Sequence, residues 1–393
     1  WGTRILYRNN FNYVVEYDKL YPMKVVVIGA GASGVVAAIS YKRHHKSDEV
    51  LIIEHLDKPL KKILATGNGK CNLGNAKIDF LRFNNPEFAK KIISNYDYKE
   101  FFESVSIQTK LIDEYAYPVS ESAVSVREAL LNECKKLGIK INVEEQFKDY
   151  KSNKEIIVFT NKKTYTCDKL IISGGLCSSP KLGSDGSVIA VVKKHGYSVI
   201  EPKPGLSPLH TVEKTKLIDG IRVKALVRIL DNNKIIHEEL GEVLFKEHGL
   251  SGIVIFNAMS IIARNPYSKY KIQLDMLPDF TLSYLNEYKN NHTFSEFLQA
   301  FINPKISTYL KDRFNDEKLI FESIKCLEFT FDKSYGFDFS QVSVGGISVD
   351  EIDENMMSKL ENNVYFVGEI LNIDGPCGGY NLTWAFASAL RIK

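Results

Sequence analysis

No apolar run in this chain reaches the roughly 18–20 residues that a helical membrane span needs. Cysteine is sparse: six in 393 residues, at positions 71, 134, 167, 177, 326 and 377, with no C-x-x-C pair. That pattern offers neither a disulfide framework nor a zinc site, and it suits a reducing cytoplasm. Charge of one sign is also lacking. A net charge of +3 gives no strong pull toward nucleic acid or anionic lipid. The eight histidines show neither H-E-x-x-H nor another ligand spacing, so no metal is expected. No G-x-S-x-G elbow starts a Ser-His-Asp site. Low-complexity tracts are absent, and 44% hydrophobic with 25% charged residues is ordinary for a globular protein. A chain this long is expected to split into two or three packed units.

The two ends read differently from the rest. Residues 1–22, WGTRILYRNNFNYVVEYDKLYP, have neither the apolar centre nor the cleavage site of a signal peptide. They read as an upstream extension, because a buried-type strand follows Met23 at once. At the other end the last helix reads as clipped, running to Lys393 without a cap or polar tail.

What the chain does contain is glycine placed where strands meet helices. Val25–Ile28 form a continuous apolar run, typical of a parallel strand buried on both faces. It feeds into Gly29-Ala30-Gly31-Ala32-Ser33-Gly34. Gly29 permits the tight turn, Gly31 admits a pyrophosphate to the backbone, and Gly34 lets the following helix approach the strand. A second strand, VLIIE, ends at Glu54, twenty residues after Gly34. A carboxylate there accepts both hydroxyls of an adenosine ribose and disfavours a 2′-phosphate. The order of strand, turn, helix, strand and acid points to dinucleotide binding through Gly29, Gly31, Ala32, Ser33, Gly34 and Glu54.

The next stretch, KKILATGNGKCNLGN at 61–75, holds three glycines and three asparagines, and no regular element is expected there. Loops so rich in small polar residues wrap ligands. Lys62, Gly69, Lys70, Cys71 and Asn72 are its candidate contacts. SVREALLNECKKLG reads as an amphipathic helix with Cys134 on its apolar stripe and Gly138 as its stop. Short strands are expected near 140–143, 156–159 and 164–166. KLIISGG then reads as a buried strand running into another glycine turn at Gly174 and Gly175.

From about Ser198 the texture changes to alternating segments, IRVKALVRIL, KIIHEELGEVLF and YKIQLDML, which argue for antiparallel strands. LSYLNEYKNN and FSEFLQAFINPKISTYLKDRF are helical by period. The region 199–337 is therefore expected to form a separate barrel-plus-helix domain. It carries no second G-x-G-x-x-G and so no independent NAD(P)H domain.

A second glycine turn closes the chain. VGEILNIDGPCGGYNLTWAF ends a short strand with Gly368-Glu369 and opens a helix at Gly379-Tyr380-Asn381-Leu382. Two anion-friendly turns on one sheet suit FAD. Its pyrophosphate and adenosine occupy the first. Its ribitol approaches Gly368, with Glu369 or Asp374 accepting from the hydroxyls, and the flavin N1–C2=O edge faces the second helix N-terminus.

These motifs carry a resemblance. VIGAGASG, KKILATGNGKCNLGN, YPVSESAVSVREALL, SGGLCSSPKLGSDGS, GEVLFKEHGLSGI, VSVGGISVDEI and the closing turn resemble the BaiN-like or aminoacetone oxidase-like NAD(P)/FAD-dependent oxidoreductases over about 23–393. The family's S-G-G-G-R-C-N loop keeps its shape here, with Lys70 in place of a bidentate arginine. The resemblance implies an α/β fold: a discontinuous Rossmann-like FAD-binding domain, 23–198 and 338–393, interrupted by a β-barrel domain with a helical subdomain, 199–337. It also implies a cytoplasmic flavoenzyme that passes hydride from NAD(P)H through FAD to an activated C=C bond of a small molecule such as a bile-acid-type ketone. Tyr380, Cys71 and His248 are the expected proton donors. Two other activities stay open: an amine or aminoketone oxidase using O2, and a flavin-dependent RNA dihydrouridine synthase, a partner class that the net charge leaves unsupported.

Overall fold

The computed structural model describes residues 21–266 and 268–393. The expected upstream extension lies outside that range except for its last two residues.

Strand β1 (Lys24–Ile28) is buried from Val25 onward, as its unbroken apolar run requires. Helix α1 (Ala32–His44) buries Ser33 through Tyr41, small residues at its start letting it lie close to the sheet. Strand β2 (Glu49–Ile53) stops one residue before Glu54. The 61–75 stretch is more ordered than expected. Lys62–Gly69 winds as a 3-10 segment, broken where Thr66 is extended and Gly67 and Asn68 turn left-handed at φ 55° and 54°, and β3 (Gly74–Asn75) follows. Next come helices α2 (Pro86–Ile93) and α3 (Tyr98–Ser104), then the hairpin β4 (Thr109–Ile112) and β5 (Tyr115–Pro118). Helix α4 (Ala123–Lys136) buries Val126, Leu130 and Cys134 on one stripe, and Gly138 at φ 71° ends it. Strand β6 (Lys140–Asn142) precedes a three-stranded meander, β7 (Phe147–Ser152), β8 (Ile156–Thr160) and β9 (Thr164–Cys167). Strand β10 (Lys169–Ile172) and helix α5 (Ser187–Lys194) complete this part.

The chain then leaves along β11 (Val199–Gly205). It builds β12 (Leu209–Thr211), β13 (Arg222–Asp231), β14 (Lys234–Lys246) and β15 (Gly249–Ser251). Asn232 and Asn233, both left-handed, make the two-residue turn between β13 and β14. Helix α6 (Ile253–Arg264), apolar nearly all round and not anticipated from period, packs on β11 and β14. After β16 (Tyr270–Asp275) come α7 (Leu282–Asn290), α8 (Phe294–Phe301), α9 (Pro304–Arg313), α10 (Glu317–Lys325) and β17 (Leu327–Ser334). The long helical period at 294–314 divides into two helices because Pro304 lacks an N–H and starts a new one, capped by Asn303. Strand β18 (Val342–Ile347) returns beside β11, and β19 (Val364–Phe366) and α11 (Tyr380–Ala389) finish the fold. Helix α11 ends at Ala389, four residues short of the expected stop, its last turn closed by Leu390 N–H on the Phe386 carbonyl.

Two architectures result. A five-stranded parallel sheet has the order β19-β10-β1-β2-β6. A closed six-stranded barrel has the order β12-β15-β14-β13-β16-β17, and α7–α10 pack beside it. The antiparallel pair β11–β18 joins them, so β11 belongs to the connection and not to the barrel. Each architecture has its own apolar core. Among the described residues no helix is long and apolar enough to cross a membrane.

Candidate active site

A cavity of about 950 Å³ opens between the carboxyl ends of the parallel strands and the barrel. Its floor is the first glycine turn. Gly29, at φ 95°, bends so sharply that a Cβ there would meet the Ser173 carbonyl, and its N–H donates to Ile53 O at 2.8 Å. Gly31, Ala32 and Ser33 line the cavity, and a Cβ on Gly31 would meet nothing within 4 Å. Gly34 faces the other way. A Cβ there would lie 2.0 Å from the Gly29 carbonyl oxygen, so this glycine serves helix-to-strand packing and does not line the cavity. Helix α1 begins at Gly31 with no side-chain cap, leaving its first N–H groups to a ligand.

Glu54 stands at the rim of the same floor. Its Oε2 accepts from Ala30 N at 2.8 Å and its Oε1 from Leu56 N at 2.8 Å, with His55 Nδ1 at 3.1 Å. Burial pushes the carboxyl up, but hydrogen bonds from His55, Leu56 and Ala30 together hold it below its usual range. The same bond to Glu54 raises His55. Gly174 and Gly175 also line the cavity. A Cβ on Gly174 would strike Val188 at 2.4 Å, so that glycine admits α5 to the sheet.

The second glycine turn reaches the cavity from the opposite side. Gly379, at φ 90°, is the N-cap of α11, and a Cβ there would lie 2.5 Å from the Gly74 backbone. Asn381 fixes the turn: its Oδ1 accepts from Gly375 N at 3.0 Å and its Nδ2 donates to Gly375 O at 2.9 Å. Gly379, Asn381, Leu382 and Glu369 line the cavity. Glu369 accepts from Lys62 Nζ at 3.1 Å, Ser178 Oγ at 2.6 Å and Ser343 N at 2.9 Å. Lys62 also lines the wall, so the pair links the 61–75 stretch to the turn after β19.

Several expected contacts are corrected. Gly368 lies outside the lining; a Cβ on it would sit 2.3 Å from Ser33 Oγ, so its missing side chain lets α1 approach. Asp374 is buried, paired with the Arg264 guanidinium, and outside the lining. Gly69 is outside it too. Lys70 and Asn72 do line it, yet Lys70 Nζ is held by Glu121 at 2.6 Å and Asn72 Oδ1 accepts from Gly74 N at 3.2 Å.

None of the three expected proton donors lines the cavity. Cys71 is wholly buried in the core, where loss of solvent pushes its thiol up to about 11. The Tyr380 ring packs 5.3 Å from that of Phe83, and its hydroxyl accepts from Asp79 N at 3.2 Å, on the far side of the α11 N-terminus. His248 is exposed on the β14–β15 turn of the barrel.

Sequence reasoning missed other lining residues. Tyr115 and Tyr117 alternate with buried Ala116 and Pro118 along β5, a period-2 pattern that was there to be read. Cys377 lies inside the quoted turn; its N–H donates to Asn257 Oδ1 at 2.8 Å, and burial pushes its thiol to about 12. Strand β14 supplies Leu244 and helix α6 supplies Ile253 and Phe256, with the Arg222–Glu242 ion pair at the rim. No local signal marks these, since the chain brings them back from the inserted part.

The residues present fit FAD. Two helix N-termini open onto one cavity, a cradle free of side chains lies at Gly31, and a carboxylate stands beyond it at Glu54. Comparison with known proteins agrees. The HI0933-like protein Rossmann domain matches residues 23–392. A 3-dehydro-bile acid delta(4,6)-reductase of Clostridium scindens is 32% identical over 398 residues, covering 93% of this chain and 97% of that protein. Ribosomal RNA dihydrouridine synthases of Escherichia coli and Haemophilus influenzae are each 25% identical over 93% of this chain, covering 95% and 96% of their own lengths. The chain belongs to the HI0933-like Rossmann-domain family and is an FAD-dependent oxidoreductase.

Proposed function

We propose that this protein reduces an activated carbon–carbon double bond in a flat, apolar ketone of small-molecule size, with NADH or NADPH as the electron source. The observation that carries the reading is the shape of one cavity: two helix N-termini open onto it, and Leu206, Leu244, Ile253, Phe256 and Val342 give it an apolar wall. The reductase relative, whose name specifies the 4,6 double bonds of a 3-dehydro-bile acid, supports the same class of acceptor.

In this reading Gly29, Gly31, Ala32 and Ser33 hold the pyrophosphate and Glu54 the ribose. Lys62, Lys70, Asn72, Gly174, Gly175 and Glu369 wall the middle of the cofactor. The backbone at Gly379, Asn381 and Leu382 meets the flavin edge. FAD, when bound, supplies hydride transfer. The N-terminus of α11, carrying roughly half a positive charge, stabilises negative charge at that edge. This apolar wall excludes water and orients the ketone. The FAD-binding part is assigned to 23–198 and 338–393 and the substrate-covering part to 199–337, in a cytoplasmic protein.

A second reading shares the chemistry. The two rRNA dihydrouridine synthases support reduction of a uracil C5=C6 bond in RNA. The test is an anaerobic visible spectrum of the FAD-loaded protein during addition of NADH or NADPH. Bleached flavin bands that return on adding a 3-oxo-4,6-diene bile acid support the first reading. Bands that return only with unmodified rRNA favour the second. Bands that ignore both nicotinamides but bleach with a primary amine, yielding peroxide in air, would indicate an oxidase instead.

A further inference from the structure

We propose that Tyr115 is the catalytic proton donor, its Oη delivering the proton that completes reduction of the substrate double bond; this rests on the C=C reductase reading. With Tyr380, Cys71 and His248 outside the cavity, the donor must be sought among the groups that line it. Most of those are committed elsewhere. Glu54 and His55 hold one another at the ribose end, Lys62 is spent on Glu369, Lys70 on Glu121, and Arg222 on Glu242. Glu145 accepts from Thr160 and Tyr165. The Cys377 thiol is directed to Gln341 Oε1 at 3.9 Å.

Tyr115 differs in three respects. Among the described residues its hydroxyl has no hydrogen-bond partner, although the residue is half-buried and lines the cavity. Its ring lies against Gly378, the residue just before the α11 N-cap. A Cβ on Gly378 would be 2.9 Å from Tyr115 Cε1 and 3.7 Å from Oη, so only glycine there leaves the ring its place. Its position is also fixed by backbone, because Tyr115 pairs with Asn75 across β3 and β5, and Asn75 Nδ2 donates to Gly378 O at 3.1 Å. Strand, ring and turn therefore form one rigid corner beside the assigned flavin edge. Tyr117, two residues on, lies toward the left-handed turn at Gly67 instead, where an added Cβ would come 3.5 Å from its Cε1.

The balance of the step is simple. One carbon of the double bond gains a hydride, two electrons and a proton, from the reduced cofactor. The neighbouring carbon gains a proton from Tyr115 Oη, and the phenolate left behind takes a proton from water. A phenol suits this role because the carbon it protonates is far more basic than phenolate. The groups that face Tyr115 are Glu114, Tyr117, Asp113 and Arg82. Burial first, then Glu114 and the others except Arg82, keep the phenol above its ordinary range and hence protonated at neutral pH.

The experiment uses FAD-loaded wild type and Tyr115→Phe. Each is reduced anaerobically with NADH or NADPH and then mixed with a 3-oxo-4,6-diene bile acid. Expected is an unchanged rate of flavin bleaching but reoxidation slowed at least about 100-fold in the variant. Wild-type reoxidation falls as pH rises past the ordinary tyrosine range, and the variant's does not. Apoprotein titrated with FAD gives the same affinity and spectrum for both. A variant that reoxidises at the wild-type rate overturns the assignment while leaving the reductase reading intact. A variant with weakened FAD binding overturns it in favour of a structural role, and the wild-type pH profile, which needs no variant, reads the same group. Reduced wild type that the ketone leaves reduced overturns the reductase reading, and this assignment with it.

Discussion

Lys62 Nζ lies 3.1 Å from Glu369 Oε2 although 307 positions separate them in sequence. The contact ties the segment after the first glycine turn to the turn after β19. Both side chains are more than two-thirds shielded, so the pair is less screened than a surface salt bridge. Lys62→Met leaves Glu369 with Ser178 and Ser343 alone and is expected to cost about 1–2 kcal/mol in urea unfolding of the apoprotein. Adding Glu369→Gln to that variant should recover part of the loss. Purely additive effects in the double-mutant cycle would show that the pair contributes nothing.

Two glycines three residues apart should fail in opposite ways. Gly34→Ala forces a methyl against the Gly29 carbonyl and Ser173 Oγ, an overpacking expected to cost about 1–3 kcal/mol in the apoprotein. Gly31→Ala meets no protein atom and should leave apoprotein stability within about 0.5 kcal/mol. Its methyl would stand where the pyrophosphate is assigned, so FAD should bind at least about tenfold more weakly. Calorimetric FAD titration of both variants checks this, and an unchanged Kd for Gly31→Ala places the pyrophosphate elsewhere.

His55 gives the fold a pH signature. Its hydrogen bond to Glu54 raises it above its ordinary 6.5. A raised cation stabilises the folded state fully below 6.5, and that contribution disappears as pH climbs through the raised value. His55→Gln should therefore lower the apoprotein Tm more at pH 6 than at pH 9. Equal losses at both pH values would show that only the ring's packing matters.

The thiols should label in an order set by burial. Cys326 is exposed, whereas Cys71, Cys134 and Cys167 are buried with thiols pushed up to about 11, 12 and 12. Iodoacetamide at pH 7 should modify Cys326 first and leave those three unmodified in the folded protein, as peptide mass mapping would show. Early labelling of Cys71 would contradict its place in the core.

The legible parts of the site were those in which local order carries geometry. Gly29 to Glu54 spans one strand–helix–strand unit, and its turn, helix start and acid could be read from spacing because the unit closes on itself. The α11 N-terminus was legible for the same reason. Spacing could not tell which way a side chain at that terminus points. Tyr380 turns toward Phe83 and Asp79, a direction set by α11 packing on its neighbours. Nor could it tell a glycine that opens onto the cavity, Gly31, from one that admits another helix, Gly368. Arg264 and Asn257 reach Asp374 and Cys377 from α6, more than a hundred residues earlier, and nothing near the turn announces them. Tyr115 was readable in principle, but a four-residue strand beside so rich a loop is easily taken as part of it.

The ribbon of β11 and β18 has a consequence for how the protein is made. The chain departs along one strand and comes back along its hydrogen-bonded neighbour, so the whole barrel is synthesised before β19 and α11 emerge. Until then β10 has no partner on its outer side, and α1 lacks α11, one of the helices that pack on it. A nascent chain at that stage displays a naked sheet edge open to wrong pairing. The ribbon limits the hazard by setting the returning strand down beside its point of departure, so β19 begins its search almost at its destination. The start of α11, which lines the cavity, is thus made after every other part of its wall.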